Sequence, residues 1–379
     1  MRFVFFVHSL LSDWNHGNAH FLRGLVRELQ NRGHGVRVME PAGGWSRTNL
    51  LAEPDGPGLM GEIAETFPDL SATLYGVAGE DREAMLDAAL DGADVVVVHE
   101  WTDPDLVAAI GRRRAAGGRF RLLFHDTHHR SVTRPAEMAG YDLSAFDGVL
   151  AFGEAVRERY LAEGWASRVW TFHEAADTSL FQPLPNVPRV RDLVWIGNWG
   201  DGERTAELQA YLLDPVRDLA LTADVWGVRY PDAARQALAA SGARYRGWLP
   251  NHRVPATFAA ARLTVHVPRR PYAQALPGIP TIRVFEALAC GIPLISAPWE
   301  DREGLFRPGR DFRMASDPAA MAAAIRDLLH DPDAAAEQVR SGLETILSRH
   351  TCAHRVDQLL AICGELAAPG SFLPLAEVS

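Results

Sequence analysis

Between Leu276 and Ile295 the chain reads LPGIPTIRVFEALACGIPLI, and within it Arg283 and Glu286 stand three residues apart. On a helix that spacing puts both side chains on one face. Pro277, Gly278 and Pro280 make a turn, Thr281 reads as an N-cap and Gly291 as a stop, so a helix of about two turns lies between them. The free N–H groups and partial positive charge at such a helix start suit a diphosphate. Arg283 would neutralise phosphate, and Glu286 would accept hydrogen bonds from a ribose diol. A surface Arg–Glu pair on a packed helix fits the same spacing. Arg204 follows a glycine-rich loop, Gly197–Gly202. Such a loop lets backbone approach phosphate closely; the alternative is a solvated charge at a helix start. Trp248 either borders a base or belongs to the core.

A second group of candidates lies in the first half. His125-Asp126-Thr127-His128-His129-Arg130 follows an expected strand. Three readings compete: a metal site, although the spacing matches no familiar motif; a structural polar cluster; or a catalytic or sugar-binding loop, with Asp126 orienting a histidine. Asn15-His16-Gly17-Asn18 opens a helix, Gly17 permitting close approach and Asn18 capping it. His16 is a general-base candidate or an exposed loop histidine. His99-Glu100 and His173-Glu174 end further strands, to bind an acceptor or to close hydrogen-bond networks.

The elements that must carry these residues follow from hydrophobic periodicity. Arg2–His8, Val36–Met39, Asp94–His99, Phe120–His125, Val149–Phe152 and Val169–Phe172 read as strands. Their continuous apolar runs suit a parallel sheet covered on both faces. Helices over 18–32, 104–114 and 154–163 alternate with them, and 41–80, rich in Gly and Pro, reads as a long connection with little regular structure. Three prolines in QPLPNVPRVR (182–191) mark a boundary. The alternation then restarts, with strands at 193–196, 223–226, 263–267 and 293–296. Helices follow at 203–213, 232–240, 254–261, 281–290, 316–330, 333–348 and 353–367. The fold class is α/β, two doubly wound Rossmann-like domains facing a cleft, with ligand-binding loops beyond the strand ends.

Composition narrows the partners. The 379 residues exceed one ordinary core. A net charge of −10 sets against nucleic acid. Three cysteines, Cys290, Cys352 and Cys363, form no CxxC pair, which fits a reducing cytoplasm. The first residues lack the basic start and cleavage site of a signal peptide, and no apolar run reaches the length of a membrane span, so no integral membrane segment is expected.

The 276–295 segment resembles the donor-binding block of GT-B glycosyltransferases, most closely the CgeB-type, group 1-like branch, where an FEALACG-like helix precedes a buried strand. YRGWL at 245–249 with VPATFAAA at 254–261, DTSLFQP at 177–183 and LVWIGNWGDGERTAE at 193–207 are similar to further family segments. The similarity spans nearly all of 170–315 and rests on architecture and short matches before that. It implies a hexosyltransferase-like enzyme with an acceptor-side domain over 1–182, a nucleotide-sugar domain over 183–350 and a C-terminal helix over 351–379 returning to the first. It implies donor binding by Gly197, Asn198, Arg204, Trp248, Gly278, Ile279, Thr281, Arg283 and Glu286. Catalysis would fall to His125 near the transferred sugar, with Asp126, or to His16 as base. Gly17, Asn18, His99, Glu100 and His128 would meet the acceptor. Many retaining members carry two glutamates eight positions apart; here Gly278 stands where the first would be, so sugar recognition falls to backbone at Gly278 and Ile279. No DxD-like pair sits where a metal-dependent transferase would hold its ion, so the expectation is a metal-independent enzyme without cofactor, using a UDP-sugar. The acceptor is left as a small molecule, glycan or protein, and a homodimer is left open. Two other readings share the donor site: an epimerase or pseudo-glycosyltransferase of this fold, and a non-catalytic nucleotide-sugar-binding subunit.

Overall fold

The computed structural model describes residues 1–76 and 81–367. The first sheet contains β1 (Arg2–Phe6), β2 (Gly35–Pro41), β3 (Thr73–Tyr75), β4 (Val95–His99), β5 (Arg121–Asp126), β6 (Gly148–Ala151) and β7 (Val169–Thr171). They lie in the order β3-β2-β1-β4-β5-β6-β7, all parallel. The second sheet contains β8 (Arg191–Ile196), β9 (Ala223–Trp226), β10 (Arg244–Tyr245), β11 (Ala261–His266), β12 (Leu294–Ser296) and β13 (Arg313–Met314). Its order, β10-β9-β8-β11-β12-β13, is again wholly parallel. Each sheet reverses direction at its first strand. Such a switch point opens a crevice beyond the strand ends, so the loops after β1, β4, β8 and β11 are set to form a site.

Burial explains the strand choice. All five residues of β4, VVVVH, are buried, as a central strand under helices on both faces requires. The helix α1 (Ala19–Asn31) turns Phe21, Leu22, Leu25, Val26 and Leu29 into the core.

The stretch 41–80 is more ordered than its Gly and Pro content suggests. Helices Trp45–Leu51 and Gly56–Thr66 precede β3, and residues 77–80 lie outside the described part. Gly44 is the N-cap of the first helix and Pro57 sits in the first turn of the second. Helix breakers are tolerated at helix starts, so there they begin structure. The expected helix over 203–213 is also interrupted. It runs as α-helix over Thr205–Leu208, widens to a π-helix over Gln209–Leu213, and continues through Asp214–Asp218.

The helix α2 (Ile282–Ala289) ends before Gly291, whose φ of +67° is the left-handed stop that glycine accepts without strain. The last described helix, α3 (Cys352–Ala367), packs on α1. Gly24 makes that contact close, because a Cβ there would stand 2.3 Å from Cys352 Sγ. Arg32–Asp357, Trp170–Glu365 and Gln358 to the Thr171 carbonyl tie α3 to the first domain. The outgoing and returning chains meet at Ala176 and Thr351. Ala176 donates its N–H to the His350 carbonyl at 2.9 Å, and Cys352 donates to the Ala176 carbonyl at 3.0 Å. Among the described residues no helix is long and apolar enough to cross a membrane.

Candidate active site

A cleft of about 1190 Å³ separates the two sheets. The first domain supplies the loops after β1, β4 and β5. The second supplies the loops after β8, β9 and β11 and the start of α2.

Arg204 dominates the second-domain wall. It is 8 % exposed, and it donates Nη1 to the Val267 carbonyl and Nη2 to the Asn198 carbonyl, both at 2.7 Å. Its guanidinium lies 5.0 Å from the Trp195 ring centroid. Among the described residues no carboxylate pairs with it, and its Nε is buried without a partner. Burial, with Arg269 next to it, brings the guanidinium down to about 9. A buried cation without a counter-ion is costly, and an entering anion would remove that cost. The glycine-rich loop lies against it. Asn198 holds Arg269 through Oδ1 at 2.8 Å and reaches Asn15 of the first domain at 2.6 Å. Gly227 is needed for this packing: its φ is +150°, and a Cβ there would stand 1.9 Å from the Gly197 carbonyl oxygen.

Thr281, Ile282 and Arg283 bring the start of α2 to the cleft. Ile282 and Arg283 are the first residues of the helix, whose N–H groups have no intrahelical acceptor. Thr281 holds the N-cap position but does not cap by side chain; its hydroxyl meets His266 Nε2 at 3.2 Å. Trp248, half-buried, also lines the cleft.

Glu286 is fully buried and is not part of the cleft wall. One carboxylate oxygen accepts from His20 and from Asn251, each at 2.9 Å, and the other pairs with Arg283. Burial pushes this carboxyl up, but Arg283, His20 and Asn251 together hold it below the usual range. His20 belongs to α1, so the acid expected to meet a ribose diol instead joins the two domains. A ribose would have to displace one of these partners.

The amides expected at Gly278 and Ile279 are also committed. Gly278 donates to the Glu300 carbonyl at 2.7 Å and Ile279 to that of Leu276 at 3.3 Å. Ile279 packs into the first-domain core against Gly153. Glu303 crosses the interface beside them, accepting from the Glu154 amide at 2.9 Å and pairing with His173 at 2.8 Å.

In the first domain the loop after β1 reaches the cleft and the strand ends do not. His16, Gly17, Asn18 and His128 line it; His125, Asp126, His99 and Glu100 do not. β5 continues through Asp126, so the His125 ring is buried beside Phe21 and Phe172 and brought down to about 3 by burial. Asp126 orients no histidine ring. It accepts from the His128 amide and the Tyr160 hydroxyl, and burial raises it to about 6. Glu100 is buried against Arg130, and burial together with the Asp126 charge raises it well above its usual value. His99 lies behind Thr127 and Asn18, bonding to them at 3.0 and 3.2 Å. Asn18 therefore spends its amide on this cluster, also donating to Thr127 at 2.8 Å, and does not cap α1. Gly17 permits the domains to approach, since a Cβ there would stand 3.1 Å from Ile282 Cγ2.

His16 meets the Ser9 carbonyl through Nε2 at 3.1 Å. That carbonyl can only accept, so Nε2 carries the proton and Nδ1 the lone pair. Burial first, then His8 and Arg23, hold its pKa well below the ordinary value. The ring is a neutral base at the edge of the cleft.

Several cleft residues escaped the site reading of the sequence. Arg269 sits beside Arg204 and is held by Glu203 at 3.1 Å. Trp45 and Trp101, 45 % and 42 % exposed, flank His8 on the first-domain rim. Trp101 directly follows His99-Glu100 and was within reach of the sequence, whereas Trp45 becomes a signal only once 41–80 is given structure. Glu174, read only as acceptor-binding or structural, is also on the wall. Among the described residues no three His, Cys, Asp or Glu side chains gather as a metal site.

Two parallel, doubly wound domains with this cleft define the GT-B architecture, the fold of one large class of glycosyltransferases. Within it, residues 204–361 match a family described as "Glycosyl transferase-like". No curated protein sequence matches the chain. Solved structures match over nearly the whole length. A sucrose-phosphate synthase from Thermosynechococcus elongatus aligns with a TM-score of 0.65 at 16 % identity, covering 97 % of this chain and 99 % of that one. HepE from Anabaena, solved with UDP-glucose, gives 0.68 at 13 %, covering 97 % and 100 %. An α-glucosyltransferase solved with UDP-glucose and DNA gives 0.69 at 11 %, covering 96 % and 99 %.

Proposed function

We propose that this protein is a glycosyltransferase that moves a sugar from a UDP-sugar to an acceptor hydroxyl, without a metal. The observation that carries the reading is Arg204, a buried cation on the cleft wall that no carboxylate pairs with among the described residues. Departure of a nucleoside diphosphate builds negative charge. Arg204, Arg283 and the open amides of α2 stand together where that charge can be met. Arginines in this role take the place a divalent cation holds elsewhere. UDP is preferred because HepE and the α-glucosyltransferase were solved with UDP-glucose. The CgeB-type affiliation stays part of the proposal and rests on the FEALACG segment.

For attack with inversion, an acceptor hydroxyl needs a base, and His16 offers one through Nδ1. Trp45 and Trp101 give the acceptor side a flat apolar rim on which a sugar ring can stack. The net charge of −10 weighs against a DNA acceptor.

Calorimetric titration of the protein with UDP-, GDP- and dTDP-sugars tests the reading, with Arg204→Met as control. One donor should bind the wild type and lose at least about tenfold in affinity in the variant. Analysis of the products then separates transfer from epimerisation. Equal binding by both proteins would remove Arg204 from the site and the reading with it.

A further inference from the structure

Among the cleft-lining carboxyls, Asp13 pairs with Arg23, Glu203 with Arg269 and Asp201 with Arg229. Among the described residues Glu174 has neither a hydrogen bond nor an ion pair, although it is only 6 % exposed. It follows β7 at the inner end of the cleft. The groups whose charges act on it are Glu286 and Arg283, both on α2, and it acts in turn on Tyr272 from the stretch after β11. His173, its neighbour in sequence, is engaged with Glu303. A buried carboxyl that faces an open cleft without a partner is waiting for a ligand atom or a proton.

We propose that Glu174 contacts the diphosphate of the bound nucleotide as a neutral carboxylic acid, donating its O–H to a phosphate oxygen, so that donor binding is linked to a proton. The proposal rests on the reading of the cleft as a nucleotide-sugar site. An ionised carboxylate beside a diphosphate would repel it, whereas the acid form adds a donor to those of Arg204, Arg283 and the start of α2. Burial, reinforced by the Glu286 charge and opposed by Arg283, lifts this carboxyl to about 8, so the acid form is the resting form at neutral pH. The proton remains on Glu174 or is shared with the phosphate oxygen; no other bond changes.

The test is calorimetric titration of the full chain with UDP from pH 7 to 9.5, on wild type and Glu174→Gln. Glutamine keeps the shape and an N–H donor but cannot ionise. The ratio of the two affinities cancels the titration of UDP and of the arginines, which both proteins share. The wild type should weaken relative to the variant by about tenfold per pH unit above the carboxyl pKa. Should the variant not fold, the wild type alone suffices. At pH 8.5 its binding heat, measured in buffers of differing ionisation enthalpy, should report uptake of a large fraction of a proton. Parallel pH profiles, or no proton uptake, overturn the role of Glu174 while leaving the donor site standing. Failure of every nucleoside diphosphate to bind either protein at any pH overturns the donor site itself, and this proposal with it.

Discussion

The Arg204 guanidinium lies over the Trp195 indole at 5.0 Å and gives hydrogen bonds to the Val267 and Asn198 carbonyls, and among the described residues no carboxylate is paired with it. Such an arrangement holds a cation in place without neutralising it. Arg204→Met should therefore leave the unliganded fold as stable as before or more so, since a buried charge is replaced by an apolar chain. It should also abolish the thermal stabilisation that the proposed function expects UDP to give the wild type. A melting series with and without UDP reads both effects. A variant that melts early yet still responds to UDP would show Arg204 to be structural.

Glu286 leads to the opposite expectation. Its carboxylate satisfies His20, Asn251 and Arg283 at once inside the domain interface. Glu286→Ala strips three partners in a buried place and should cost about 3 kcal/mol, read as a drop in the urea midpoint. Glu286→Gln keeps one acceptor and should cost less. If both variants unfold like the wild type, the pairing across the interface carries no stability.

The rate should show little acid sensitivity if His16 is the base. Its pKa is held well below the usual imidazole value, so it is neutral at pH 7 and remains so as the medium is acidified. Turnover should stay level from pH 8 to 6, where an ordinary imidazole would already be losing its basic form. His16→Ala should slow transfer by about a hundredfold or more with UDP affinity unchanged. A small effect on turnover would point to a reaction that retains the anomeric configuration and needs no such base.

Buried histidines predict acid lability. His125 and His266 are each brought down to about 3 by burial, His266 also by Arg204 and Arg283. In the unfolded chain both titrate near 6.5. Between these values the unfolded state binds more protons, so stability falls as pH drops below about 6.5. Each group contributes up to about 1.4 kcal/mol per pH unit. Urea unfolding at pH 7, 6, 5 and 4 gives the slope, and His125→Leu should reduce it. An unchanged slope in that variant would mean that His125 is already protonated in the folded protein.

The central strands were readable because runs such as VVVVH have no other stable place than the middle of a covered parallel sheet. The short edge strands β3, β10 and β13 were not, since they lack the apolar runs that mark the similarly short β7 and β12. In the site, Arg204, Trp248, Arg283, His16, Gly17, Asn18 and His128 reach the cleft from loops and helix starts that local turn chemistry marks. His125, Asp126, His99 and Glu100 were misplaced for one reason. Sequence locates the end of a strand, but which of its last side chains lies under a helix depends on where the strand stops, within one residue. The interdomain pairing of Glu286 was not legible because its partner His20 lies 266 residues away, and no local pattern announces such a contact.

The chain leaves the first domain and later returns to it, and the two passages are bonded side by side at Ala176 and Thr351. Two separate connectors would let the halves swivel and slide. A pair laced together would serve as a single pivot for any opening of the cleft. A few degrees of backbone rotation there become ångströms at the rim, where Trp45 faces the Arg229 guanidinium. The mouth of the cleft can then widen for an entering donor while the packing near the pivot stays in place.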